Sequence, residues 1–130
     1  MKNPNKKDER LLTTERIYVG RPINYVVMMA RISGFVTKNS LSNALNTLKD
    51  YHRLLKSRIE IKENSRAYFA FDQIPEFSIE EIKKTNDKEW IYVAEEHHMK
   101  EIDIFEGPLI RFSLLQANTS TDLIICSHHS

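Results

Sequence analysis

Thr121-Asp122-Leu123-Ile124-Ile125-Cys126-Ser127-His128-His129-Ser130 decides how the rest of the sequence is read. A polar turn leads into a short apolar run, and the run delivers two adjacent histidines at its far end. The run is short, β-branched and bounded by polar residues, which predicts a strand. Strand alternation sends neighbouring side chains to opposite faces. One histidine can therefore be held inside the fold while the other faces a cleft. Imidazole with an ordinary pKa near 6.5 can take a proton from a hydroxyl or amine at cellular pH, and a strand end mounts it rigidly. On these residues alone the plainer reading, two histidines near a strand end with one in the core, carries more weight.

Upstream, Leu109 to Leu115 alternates and reads as the partner strand, with Asn118 to Asp122 as the polar turn of an antiparallel hairpin. Asn86 or Asp87 can cap a helix running to about Lys100, with Trp90, Val93, Ala94 and His97 on one face. Phe77 to Ile82 is ambiguous between a strand and a helical turn. Arg58 to Ile61 and Ala67 to Phe71 predict a hairpin around Glu63-Asn64-Ser65. Ser40 is a good N-cap for the clearest amphipathic helix, where Leu41, Ala44, Leu45, Leu48, His52 and Leu55 recur at three- and four-residue spacing. Ile23 to Ile32 predicts a strand covered on both faces, and Ile17 to Val19 a short strand stopped by Gly20-Arg21-Pro22. Residues 1–14 show no periodicity and read as a flexible tail, followed by one domain over 15–130. The order predicts an α+β fold, a two-layer sandwich with helices packed on a mostly antiparallel sheet.

Composition narrows the function classes. The 130 residues fit one domain, and nineteen basic against eighteen acidic residues leave a net charge of +1. Such a balance gives no strong field toward nucleic acid or an anionic membrane. No run reaches the roughly 18 apolar residues of a membrane helix, and the N-terminal lysines are followed by Asp8-Glu9-Arg10 rather than an apolar signal core. Cys126 is the single cysteine, so no intramolecular disulfide is expected and a cytoplasmic location is. Beside the histidines Cys126 could be a nucleophile, but a cysteine in an apolar strand is more often a small hydrophobe. With three glycines and no Gly-rich phosphate loop, a dinucleotide fold is not indicated. The other doublet, His97-His98, sits about a hundred degrees apart on a helix and reads as a half-solvated flank. No metal site is expected, since zinc needs three or four converging ligands.

Three segments in order resemble one family, the condensation-domain and acyl-CoA-dependent acyltransferase superfamily with the chloramphenicol-acetyltransferase-like fold. Leu41 to Leu48, continuing through His52-Arg53-Leu54-Leu55-Lys56-Ser57-Arg58-Ile59, resembles its "ALxxLxxxHxxLRxRI" pattern. Asp103-Ile104-Phe105-Glu106-Gly107-Pro108-Leu109-Ile110-Arg111 resembles "DLxxGPLLR", and Asp122 to Ser130 resembles the strand that opens "HHxxxDG". The resemblance covers residues 15–130 and implies an N-terminal lobe. It implies His129 as catalytic base, deprotonating an alcohol or amine that attacks a thioester on CoA or a carrier protein, with no bound cofactor. His128, Lys56, Arg58, Asp103 and Arg111 would support the motif. Lys56 stands where the family has an Arg that pairs with the motif's Asp, and it lacks the bidentate fork. The motif's Asp and Gly would fall beyond Ser130, as would the second lobe that completes the substrate tunnel. The resemblance therefore implies a lobe truncated inside its motif, with little transferase activity alone and a missing C-terminal lobe as partner. A free-standing acyltransferase is preferred to a fragment of a nonribosomal peptide synthetase condensation domain, on the Lys56 departure and the lack of flanking carrier sequence. The alternative from another class is a non-catalytic binding or dimerisation module, self-associating through exposed lobe surface.

Overall fold

The structure is a computed structural model that describes residues 9–11 and 25–128. The expected strand at Ile17 to Val19 and the expected base His129 both lie outside the described residues. The described residues form a four-stranded sheet, a three-stranded sheet and two α-helices. The larger sheet has the order β2–β7–β6–β5, built from β2 (Tyr25–Ser33), β5 (Ser78–Lys83), β6 (Ile110–Gln116) and β7 (Ser120–His128). The smaller has the order β1–β4–β3, from β1 (Glu9–Leu11), β3 (Arg58–Ile61) and β4 (Ala67–Ala70). Helix α1 covers Lys38–Leu48 and helix α2 covers Glu89–Met99.

The class is α+β with a mostly antiparallel sheet, as the sequence predicts; β5 and β6 alone run parallel, joined by α2 as a crossover. The layering is finer than a two-layer sandwich. Phe112 and Leu114 of β6 pack with Leu45 of α1, Phe77 and Ile79, whereas Leu115 packs with Val93 of α2 and Ile124. Alternate β6 residues point to opposite faces, so the two helices cover opposite faces of the sheet. A third cluster, Ile59, Ala67, Phe69, Ile104 and Leu109, fills the smaller sheet. Leu109 accepts the His128 backbone N–H at 2.9 Å, which docks that cluster against the end of β7.

Four expectations change in detail. Glu9–Leu11, inside the expected tail, pairs with β4, Arg10 opposite Phe69. Helix α1 starts earlier, capped by Thr37, whose Oγ1 accepts the Ser40 N–H at 3.1 Å. The same helix stops at Leu48 with Lys49 as its C-cap, His52 stands outside helical torsions (φ −130°, ψ 82°), and a short 3-10 turn over Arg53–Lys56 follows. Strand β2 is covered on one face alone. Val27 and Met29 lie against α2, but Val26 and Met28 are 41% and 56% exposed because α1 sits over the β5–β6 half of the sheet. Apolar residues on both faces predict double burial, and the structure covers one face only.

Gly107 shows one strong local demand. Its φ is +71°, and a Cβ there would stand 2.5 Å from the Ser57 carbonyl oxygen. Gly107→Ala is expected to lower stability by about 2–4 kcal/mol, combining the strain of a left-handed alanine with a backbone clash. Chemical denaturation of the two proteins reads this directly, and a loss under half a kcal/mol would contradict it.

Candidate active site at the end of strand β7

Strand β7 runs through the centre of the larger sheet, paired with β2 on one side and β6 on the other. Central position suits its composition, since Ile124 and Cys126 are fully buried and no proline interrupts the ladder. Its far end opens into a groove of about 520 Å³. Leu48, His52, Leu54, Leu55, Phe69, Leu109 and Ile110 line it, with Ser127 and His128 at the strand end.

His128 is buried, its ring edge-on to Tyr25 at 5.8 Å between centroids. The Tyr25 hydroxyl accepts the Ile102 N–H at 2.6 Å, and the Arg111 guanidinium lies 5.9 Å from the same ring. Tyr25 therefore fixes the His128 ring and is itself held from two sides. It carried no signal in the sequence beyond being an aromatic residue in a strand.

Arg111, expected as a motif support, is buried and works as a clamp on the C-terminal end of α2. Its NH2 donates to the carbonyls of His97 (2.6 Å) and Lys100, and its NH1 to that of Glu101 (3.1 Å). The His97 carbonyl in the last turn of α2 and the Lys100 carbonyl at its C-cap are ones a helix end leaves without intrahelical partners. Arg111 Nε donates to His97 Nδ1 at 2.9 Å. Arginine has no acceptor, so Nδ1 is the unprotonated nitrogen and Nε2–H donates to Ser113 Oγ at 2.7 Å. The expected half-solvated flank is thus corrected for His97, a buried core histidine, while His98 is exposed. Burial, then the charges of Arg111, Lys100 and His98, lowers the His97 pKa to about 4.

The other expected supports stand apart from the groove. Lys56 Nζ pairs with Glu76 at 3.2 Å and lies 5.8 Å from the Phe77 ring. Arg58 pairs with Asp72 at 2.8 Å and also reaches the Asp72 carbonyl. Asp103 shapes the turn before Gly107-Pro108, its Oδ1 accepting the N–H groups of Phe105 and Glu106 at 3.1 Å each. Cys126 is buried, and burial pushes its thiol up from the ordinary value, against an opposing effect of Arg111. A thiol held protonated in the core is a small hydrophobe rather than a nucleophile. Among the described residues, no three His, Cys, Asp or Glu side chains gather to hold a metal.

Asp122 belongs to the strand rather than the turn, and it is fully buried. Arg31 Nε reaches its Oδ1 at 2.8 Å, and Lys84 Nζ lies 3.3 Å from Oδ2. Burial alone would raise the carboxyl pKa, but the hydrogen bonds and charges of Arg31 and Lys84 outweigh it and hold the group below its usual range. Next to it, Thr121 Oγ1 donates to the Gly34 carbonyl and accepts the Val36 N–H, both at 2.9 Å. Asp122 and Thr121 together pin the start of β7 to β2, to the link into α1, and to Lys84 just past the end of β5.

A scan against protein-family models gives no match, and a search of the curated proteins gives none either. Solved structures do match in fold. The condensation domain of the Monacolin K polyketide synthase MokA superposes with a TM-score of 0.72 at 15% identity, over 92% of this chain and 30% of its own. The tallysomycin biosynthesis protein TlmII gives 0.73 at 13% identity, over 92% and 33%. The first condensation domain of the calcium-dependent antibiotic synthetase, solved with a substrate analogue, gives 0.68 at 17% identity, over 83% and 28%. The chain thus spans about a third of the length of the structures it resembles, and over that span it has the fold of a condensation domain.

Proposed function

We propose that this chain is the N-terminal lobe of an acyltransferase that moves an acyl group from a thioester to an alcohol or amine, with His129 as general base. The observation that carries the reading is the delivery of the end of β7, with Ser127 and His128, to the mouth of an open apolar groove. Within β7, Leu123 and Ile125 pack toward the α1 side and Ile124 toward α2. Two-residue alternation puts Ser127 on the α1 side as well, and Ser127 lines the groove together with Leu48 and Leu55. As general base the imidazole takes the acceptor's proton as the oxygen or nitrogen attacks the thioester carbonyl. The new C–O or C–N bond forms, the C–S bond breaks, and the proton returns to the leaving thiolate. The donor is an acyl-CoA or an acyl carrier, and a second lobe completes the tunnel.

The test is turnover by the longer parent protein, supplied with acyl-CoA donors and a panel of alcohols and amines, as wild type and as His129→Ala. Loss of turnover in the variant, with a folded protein, is the expected result. Equal turnover in both would remove His129 from the role.

A second reading is favoured by the exposed apolar side chains Val26 and Met28 on β2 and Leu48 on α1. Surface of this kind suits association, and the chain would then act as a non-catalytic dimerisation module. Sedimentation of the 130-residue chain over a wide concentration range decides it. A monomer at the highest concentration would set this reading aside.

A further inference from the structure

The end of β7 is held by a chain of contacts that starts at the C-terminal end of helix α2. Arg111 binds the carbonyls of His97, Lys100 and Glu101, so the segment that follows the helix leaves from a fixed point. Both ends of that segment bear on His128. At one end the Ile102 N–H donates to the Tyr25 hydroxyl at 2.6 Å, and at the other the Leu109 carbonyl accepts the His128 N–H at 2.9 Å. Between them the Ile104 carbonyl accepts the Ile59 N–H at 2.7 Å, which ties the segment to the smaller sheet. Tyr25 stands directly opposite His128 in the β2–β7 ladder, and its ring meets the imidazole edge-on, a geometry aromatic pairs favour. The Arg111 guanidinium lies 5.9 Å from the centre of the same ring, within cation–π reach. Tyr25, Arg111 and His128 are all buried, where close packing leaves few other rotamers to take up a lost contact.

We propose that Arg111 and Tyr25 are positioning residues for acyl transfer. Arg111 sets the segment 102–109, Tyr25 passes that setting to the His128 ring, and together they aim the end of β7. The proposal rests on the acyl-transfer reading and adds to it the residues that place the strand. Residue 25 needs its hydroxyl, since phenylalanine would keep the ring contact and leave the Ile102 N–H without its acceptor. Residue 111 needs a guanidinium, because three carbonyls and the Nδ1 of His97 converge on it. The ammonium of lysine keeps the charge but has too few donors and no planar fork. A misplacement of about 1 Å in a reacting group can cost about a hundredfold in rate.

The experiment has two arms. In the 130-residue chain, imidazole ¹H–¹³C spectra are compared for wild type, Tyr25→Phe, Arg111→Lys and Asp122→Asn, the last costing stability at the other end of β7. In the longer parent, kcat and KM for an acyl-CoA donor are measured for wild type, Tyr25→Phe and Arg111→Lys. The His128 ring signals should move in Tyr25→Phe and Arg111→Lys and stay in place in Asp122→Asn. In the parent, kcat should fall by about tenfold or more in each variant while KM stays within about twofold. Ring signals that move as much in Asp122→Asn as in Tyr25→Phe would overturn the proposal. So would an unchanged kcat in Tyr25→Phe, or a raised KM at unchanged kcat. His129→Ala in the parent separates the two readings. Turnover that ignores His129, beside moved ring signals and a lowered kcat in Tyr25→Phe, would defeat the base and leave the positioning standing. Turnover lost in His129→Ala, beside ring signals and kcat that ignore Tyr25→Phe, would do the reverse.

Discussion

Asp122→Asn lowers the stability of this fold by about 3 kcal/mol, the lower end of the range for removing one partner of a buried ion pair. Asparagine keeps the shape and removes the charge. Lys84, whose side chain is 4% exposed, then retains Asp87 as its remaining carboxylate, and Asp87 is 80% exposed. An exposed partner compensates weakly, which is why the loss stays large. Arg31 suffers less, since its side chain is 43% exposed and water can take over. A double-mutant cycle with Lys84→Met tests the cause. If the buried lysine is the source of the loss, the double variant recovers part of it, because an apolar replacement of a buried pair is often near neutral. A loss below 1 kcal/mol for Asp122→Asn alone would show that the network adds little. The carboxyl is held below its unfolded value, so its contribution is complete above pH 4 and disappears as the pH falls further through the folded-state value.

A separate acid sensitivity comes from His97 and falls in a different window. Its pKa drops from 6.5 in the unfolded chain to about 4 in the fold. The native state keeps the ring neutral where the unfolded chain protonates it. Stability is therefore full above pH 6.5 and declines as the pH falls from 6.5 toward 4. At about 1.4 kcal/mol per pH unit the loss sums to about 3 kcal/mol. Denaturation midpoints measured from pH 7.5 to pH 4 should show this slope in the wild type. His97→Leu should be less stable at pH 7, since Ser113 and Arg111 lose a partner, and it should lose the slope. A slope that persists in His97→Leu would place the titration on another group.

How much of this was legible in the sequence follows from physical range. Strands β3 and β6, helix α2 and the β6–β7 hairpin are written in local periodicity and turn residues, and they form close to where those signals put them. The burial of His97 is not local. It depends on Arg111 and Ser113 from β6, 14 and 16 positions away, and a histidine on a helix flank looks the same in sequence whether solvent or an arginine meets it. Asp122 reads in sequence as the end of a polar turn, and its two cations come from 91 and 38 positions away. One-sided exposure of β2 is a matter of where α1 lands, which no property of residues 25–33 encodes. The candidate site divides the same way. The histidine pair was visible as a motif, whereas Tyr25 and the walls of the groove are side chains gathered by topology.

The strand order has a consequence for how the molecule is made. Strand β2 is synthesised early, yet its partner within the larger sheet is β7, and the Arg31–Asp122 pair that locks them spans 91 positions. Until β7 has left the ribosome, β2 has no ladder to join, and its apolar side chains Val26, Val27, Met28 and Met29 wait in an incomplete chain. Closing so long a loop costs entropy before any contact rewards it, and folding dominated by such distant pairings is slow. The smaller sheet and the β5–α2–β6 unit can assemble first because their contacts are nearer in sequence. Strand β7 sits between β6 and β2, so the larger sheet is complete only when both of its long-range pairings are made. Among the described strands, the one that closes the larger sheet also carries His128, so the groove at its end depends on the same long-range pairing as the sheet.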